Sequence, residues 1–193
     1  MKKDDDKKEG YIAYAYFYSA MLISKQIDSW LSDEPLDCDD VSPHHLLYPM
    51  VFSFKNGMEL ILKKMQKNLW GCYDNNTHNF LTLINRLTKY NFDSKNRKSI
   101  LGALESIKNI FMPYYTGTYL GANGQEPDIN NEAERFPEAK HENVYCPNDT
   151  LTFQVNDNKK IEEINSKFQE DMKQIKENLM YLLILTQSCD STK

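Results

Sequence analysis

The sequence predicts an all-α protein, an up-and-down bundle of about five helices. Three observations support this prediction: long segments in which apolar residues recur every three to four positions, few glycines and prolines (7 of each), and 193 residues of which 40% are hydrophobic. This spacing places apolar side chains on one helix face, and the length suits a single domain with a sizeable core. We expect one helical domain over residues 11–188, preceded by a disordered charged tail over residues 1–10.

Helix 1 is predicted from about Tyr11 to Leu31 and is rich in aromatic residues. Two apolar stripes follow its length: Tyr11, Tyr14, Tyr18 and Leu22 form one, and Ile12, Tyr16, Ile23, Ile27 and Trp30 form the other. A helix with two apolar faces needs two partners. Either this helix is central in the bundle, or one face forms the seam of a homodimer in which tyrosine hydroxyls reach water at the rim.

Helix 2 is predicted over about His44–Leu69, after the acidic linker SDEPLDCDDVSP. Pro49 falls near its start, where a missing amide costs least, and Gly57 in its middle indicates a close backbone neighbour. A short helix 3 follows within DNNTHNFLTLINRLTKY, with Asn76 or Thr77 as its cap.

The last two helices flank a long connection. Helix 4 is predicted over about Lys95–Phe111 and ends before Pro113, and helix 5 extends from about Asn158 to Gln187. Residues 113–156 show no helical period. Within them, NVYCPNDTLTFQV carries alternating apolar residues beside a Pro-Asn-Asp turn, which predicts a small β-hairpin excursion packed on the bundle.

Charge and cysteine usage limit the function classes. A net charge of -5 argues against a broad nucleic-acid-binding face, although a local basic cleft is still allowed. The four cysteines lack CxxC or zinc spacing, so we expect reduced thiols, no metal and no cofactor. We expect no secretory signal, because the first ten residues, MKKDDDKKEG, are charged throughout, and the longest apolar stretch, LMYLLIL, is too short to cross a bilayer. We expect a cytoplasmic protein that does not bind membranes.

Helix 2 carries a charged ladder. Lys55, Glu59 and Lys63 follow one another every four residues within an apolar run, so on a helix they lie almost one above another. Charges at the boundary of a core must be paired, and His78 and Arg135 are the candidate partners of Glu59. The predicted polar cluster comprises Lys55, Asn56, Glu59, Lys63, His78 and Arg135.

Three interpretations of this cluster are open. In a structural one, Glu59 anchors the loop Arg135-Phe136-Pro137 through a bidentate salt bridge. In a functional one, Lys55, Lys63 and Arg135 bind a phosphate or nucleotide while His78 and Glu59 act as acid and base. In the third, the ladder is a solvated face.

Three segments carry a family resemblance. SPHHLLYPMVFSFKNGMELILKKM, THNFLTLI and ERFPEAK resemble, in order and approximate spacing, the HEPN superfamily, named for a nucleotide-binding domain of higher eukaryotes and prokaryotes. More narrowly, they resemble a bacterial HEPN-like group of unknown role. The matching residues are Leu47-Tyr48-Pro49, Phe52, Glu59-Leu60, Leu62-Lys63, His78, Phe80-Leu81 and Arg135-Phe136-Pro137. The resemblance implies an all-α, often dimeric bundle in a superfamily of RNA-cleaving toxins, phage-defence effectors and non-catalytic relatives.

Active members of that superfamily place Arg and, four to six residues later, His on a helix near the dimer axis, where two copies build a metal-independent ribonuclease site. The literal match here is Arg135 with His141 in RFPEAKH, and Pro137 places it in a loop. The resemblance therefore implies a nucleotide- or RNA-associated accessory or effector protein of a bacterial defence or toxin-antitoxin system, without that chemistry. The alternatives are a dimeric metal-independent ribonuclease using Arg135 and His141, or His78, and a non-catalytic protein-protein interaction module with a cognate protein partner.

Overall fold

The described part of the chain is helical. The computed structural model describes residues 2–32, 43–72, 77–116 and 158–187. Its elements are α1 (Lys2–Ser32), a 3-10 turn (Pro43–Leu46), α2 (Leu47–Trp70), α3 (Phe80–Thr88), α4 (Ser94–Thr116) and α5 (Asn158–Gln187). These ranges contain no β-strand, which confirms the predicted helical bundle for them, whereas the predicted hairpin lies outside the described residues. None of the described helices is both long and apolar enough to cross a membrane.

Helix α2 is the centre of the bundle. Fifteen of its 24 residues are buried, which is more than a single apolar face can supply, so partners must cover it on several sides. The ring of Phe54 lies edge-on to Phe17 of α1, Phe111 and Tyr114 of α4, and Phe168 of α5, with centroids 4.6 to 5.6 Å apart. Edge-to-face packing at these distances is favourable for aromatic rings. One side chain of α2 thus joins four helices.

The buried face of helix α1 coincides with neither predicted stripe. It consists of Ala13, Phe17, Ala20, Ser24 and Ile27, whereas Tyr11, Tyr14, Tyr18 and Leu22 are exposed. Of the second predicted stripe, Ile27 is fully buried and Ile12 is exposed. The close neighbour expected at Gly57 is confirmed, because Phe17 of α1 packs directly against this glycine.

Several predicted boundaries need correction. Helix α1 begins at Lys2, so residues 2–10 are helical where we expected a disordered tail. Helix α4 continues through Pro113 to Thr116, because burial of the two tyrosines that follow the proline holds the last turn against the core. The cap of α3 is Asn79, whose side chain accepts from the Thr82 amide at 2.9 Å.

A polar contact fixes α3 against α2. The side-chain amide of Gln66, itself buried, donates to the backbone oxygen of Leu83 at 2.9 Å. Phe80, at the start of α3, stacks on Tyr115 of α4 with centroids 5.2 Å apart. These contacts place the residue pair just ahead of α3, His78 and Asn79, beside the middle of α2.

The close approach of α1 and α2 gives a test. A methyl group at Gly57 would lie 2.5 Å from Cδ2 and 3.3 Å from the backbone nitrogen of Phe17. The Phe17 ring is fixed between helices, so relief requires the helices to separate. We expect Gly57→Ala to lower the free energy of unfolding by about 1 to 3 kcal/mol, measured by urea denaturation.

Gly102→Ala is the matched control. Gly102 is exposed on α4, and nothing lies within 4 Å of an added methyl group. This change should stabilise the protein by about 0.5 to 1 kcal/mol through helix propensity alone. Equal stabilisation by the two substitutions would contradict the close helix contact.

Candidate functional site

The charged ladder of α2 lies inside the protein. Lys55, Glu59 and Lys63 expose 1%, 3% and 6% of their surface, respectively. Their spacing of four residues aligns them along one side of the helix, next to the apolar side chains that face the core. The interpretation as a solvated face is therefore wrong. Burial also means that these charges must be compensated by groups within the protein.

The carboxylate of Glu59 provides the negative charge that compensates the buried ammonium group of Lys63. Its Oε1 accepts a hydrogen bond from Lys63 Nζ at 2.8 Å and lies 2.9 Å from Nδ1 of His78. A carboxylate only accepts hydrogen bonds, so this contact places a proton on Nδ1 of the imidazole. The side chain of His78 is 39% exposed, while that of Glu59 is 4% exposed. The buried Glu59 carboxylate thus fixes the orientation of the His78 ring, which is partly exposed at the surface.

Lys55 lies against an aromatic ring, and Asn56 donates a hydrogen bond to the helix backbone. The Lys55 ammonium lies 4.8 Å from the centroid of the Tyr115 ring, a distance suited to a cation-π interaction. The Asn56 amide donates to the Phe52 backbone oxygen at 2.9 Å, one turn earlier in α2. Both residues are buried beside Glu59 along the helix, but these contacts direct their polar atoms toward an aromatic ring and the helix backbone.

The remaining predicted site residues lie outside the described ranges. Arg135 and His141 fall between residues 117 and 157, so the salt bridge expected between Glu59 and Arg135 stays a prediction. The same holds for the ribonuclease pair of Arg135 and His141. Within the described residues, the structure brings together Glu59, Lys63 and His78. No group of three His, Cys, Asp or Glu side chains suited to hold a metal ion occurs there.

Sequence reasoning missed a polar network between α1 and α5. Asn165, fully buried, donates to the Ser24 backbone oxygen at 2.9 Å and to the Asp28 carboxylate, and accepts from the Ser24 hydroxyl at 2.7 Å. Gln169, one turn along α5, donates to the second Asp28 oxygen and to the Ser24 hydroxyl. The available signal was Asn165 itself, which interrupts the apolar face of α5 four residues after Ile161.

A second missed contact joins α4 to α5. The Tyr114 hydroxyl donates to Asp171 Oδ2 at 2.8 Å, and Lys167 donates to the same oxygen at 2.8 Å. Burial raises the pKa of the Tyr114 phenol far above its ordinary value, and the charge of Asp171 and the hydrogen bond to it raise this pKa further. Tyr114 therefore keeps its proton in the folded protein.

Comparisons of the chain with protein-family models, with curated proteins and with solved structures found no match.

Removing the negative charge of Glu59 tests the cluster. In Glu59→Gln, the buried Lys63 ammonium loses its ionic partner, and leaving one member of a buried pair uncompensated is costly. We expect the free energy of unfolding to fall by about 3 kcal/mol. Urea denaturation with matched circular dichroism spectra measures this change.

The control is the exposed pair of Glu105 and Lys108, whose charged atoms lie 3.6 Å apart. Glu105→Gln should change the free energy of unfolding by less than about 0.5 kcal/mol, because water screens exposed pairs. Similar values for the two variants would show that Glu59 is not electrostatically important.

The raised pKa of Tyr114 predicts that the folded protein loses stability at alkaline pH. An unfolded tyrosine releases its proton near its ordinary pKa of 10.0, whereas folded Tyr114 retains it. Above about pH 10 the folded state therefore binds more protons than the unfolded state, and the free energy of unfolding falls as the pH rises. Below that pH the contribution of Tyr114 is fully present.

We expect Tyr114→Phe to make this decline shallower by about 1.4 kcal/mol per pH unit, measured by urea denaturation from pH 8 to pH 11. Tyr11→Phe is the control, because Tyr11 is 72% exposed. An unchanged slope in Tyr114→Phe would refute the assignment.

Proposed function

We propose that this protein is an HEPN-like helical bundle that associates with RNA or nucleotides as an accessory or effector protein. The supporting observation is His78, a partly exposed imidazole held by the buried carboxylate of Glu59. An imidazole with a fixed ring and a proton on Nδ1 presents Nε2 as an acceptor, which suits a ribose hydroxyl or a base N–H of a nucleotide. The bacterial defence or toxin-antitoxin setting is the part of the proposal that rests on the family resemblance.

The second candidate function is a metal-independent ribonuclease. The contact between Glu59 and His78 favours it, because a carboxylate that fixes the tautomer of an imidazole prepares Nε2 for proton transfer. In that reaction Nε2 would accept the proton of a ribose 2′-hydroxyl, whose oxygen then attacks the adjacent phosphorus. The bond from phosphorus to the 5′-oxygen of the next nucleotide would break, that oxygen would take the proton back from the imidazolium, and a 2′,3′-cyclic phosphate would remain. The dimeric form of this candidate, with Arg135 and His141, depends on residues outside the described ranges.

The third candidate function is a protein-protein interaction module. It is favoured by the exposed apolar side chains of α1, which include Tyr11, Tyr14 and Tyr18. Aromatic side chains with polar tips are common where proteins meet. A homodimer is one form that this module could take.

A binding and cleavage assay separates the candidates. A 5′-labelled single-stranded RNA of twenty nucleotides is mixed with the protein in EDTA at low salt, and fluorescence anisotropy is followed by gel analysis. We expect binding without cleavage. His78→Ala should weaken binding by about tenfold, the loss expected for one hydrogen bond.

His45→Ala is the matched control, since His45 lies exposed in the 3-10 turn ahead of α2 and should leave binding unchanged. Cleavage that persists in EDTA and disappears in His78→Ala would establish the ribonuclease instead. RNA that stays intact and unbound would refute both RNA functions and leave the interaction module.

A further inference from the structure

Exposed apolar side chains are concentrated on two helices. In the described part of the chain, eight of the nine large apolar residues that are exposed belong to residues 11–22 of α1 or to the last turns of α5. They are Tyr11, Ile12, Tyr14, Tyr18 and Leu22 on α1, and Met180, Tyr181 and Ile184 on α5. Scattered exposed residues would need no explanation, but Tyr14, Tyr18 and Met180 line one groove and form an apolar patch, and a patch of this kind marks an interaction surface.

A groove runs through this patch between α1 and α5. Its apolar end encloses about 170 Å³, and Tyr14 and Tyr18 form one wall with their rings stacked 6.4 Å apart. Met21, Met172 and Met180 also line it. Methionine side chains are flexible and polarisable, so surfaces rich in them adapt to apolar partners.

The groove continues toward a wider, more polar depression of about 350 Å³. Met21, Met172 and Lys176 line both parts, which makes them one continuous surface. Along α1 the lining extends from Ala13 to Asp28, a distance of about 22 Å at 1.5 Å per residue. That length corresponds to about four turns of a second helix lying in the groove.

The charged residues that line the groove are mostly positive, although the chain as a whole carries a net charge of -5. They are Lys25, Lys64, Lys173, Lys176 and Asp28. The two carboxylate oxygens of Asp28 accept the amides of Asn165 and Gln169, so this acid serves the packing of α5. A partner that enters the groove therefore meets an apolar floor with a positive rim.

We propose that this groove binds an acidic amphipathic helix of a partner protein. The apolar face of such a helix would cover the methionines and tyrosines, and its carboxylates would lie against the lysines. A second copy of this chain fits less well, because an isologous contact would place the same lysines opposite one another. This inference specifies the kind of partner that the third candidate function, the protein-protein interaction module, would bind. It is independent of RNA binding, because Glu59 faces away from the side of α2 that carries Ile61 and Lys64.

The test uses two designed sixteen-residue peptides with leucines spaced three and four residues apart. One carries glutamate at the flanking positions and the other carries lysine, and anisotropy measures binding to the full chain. We expect the glutamate peptide to bind and the lysine peptide not to bind. The double variant Lys173→Glu with Lys176→Glu reverses two rim charges. It should lower the affinity for the glutamate peptide by about tenfold or more and allow the lysine peptide to bind.

The control reverses two exposed lysines of α4, in Lys95→Glu combined with Lys98→Glu, and should leave both affinities unchanged. Equal binding of the two peptides, no binding of either, or an equal effect of both double variants would overturn the proposal. Light scattering of the peptide-free protein is measured in parallel. If the protein forms a dimer, the charge reversal of Lys173 and Lys176 abolishes that dimer, and neither peptide binds, the groove binds a second copy of the chain. That result would refute the acidic helix but keep the interaction module.

Discussion

The structure depends on one constraint: α2 is buried on several sides, and it carries charges on one of them. A helix surrounded by partners cannot turn Lys55, Glu59 and Lys63 toward water. Their charges are compensated within the protein, through the carboxylate that Lys63 and His78 share and through the ring that Lys55 faces. Helix α3, which Gln66 holds against α2, places the imidazole of His78 beside this carboxylate.

Much of the fold was predictable from periodicity, because long helices with regular apolar spacing leave few alternatives. The residue spacing placed Lys63 one turn from Glu59, and the position of His78 ahead of a short helix made it a candidate partner. Such contacts are local or nearly so. Lys55 facing Tyr115 was not predictable, since it joins two helices whose relative rotation is set by packing that the sequence does not show directly.

The errors have physical causes. The apolar stripes predicted on α1 leave out Phe17, which is buried because Gly57, having no side chain, lets the Phe17 ring pack directly on α2. Pro113 suggested the end of α4, but the cost of a proline in the last turn is smaller than the gain from burying Tyr114 and Tyr115. In both places a tertiary contact outweighed a local preference.

The network of Asn165 with Ser24 and Asp28 has a consequence for how α5 is aligned. Sliding α5 by one turn in one direction would bring Ile161 to the place of Asn165 and leave the polar groups of Ser24 and Asp28 facing an aliphatic side chain. The apolar faces alone would tolerate that slip, since their period repeats with each turn. The Asn165 amide therefore selects one axial alignment of the two long antiparallel helices α1 and α5. That selection does not depend on the length of the chain that connects α4 to α5.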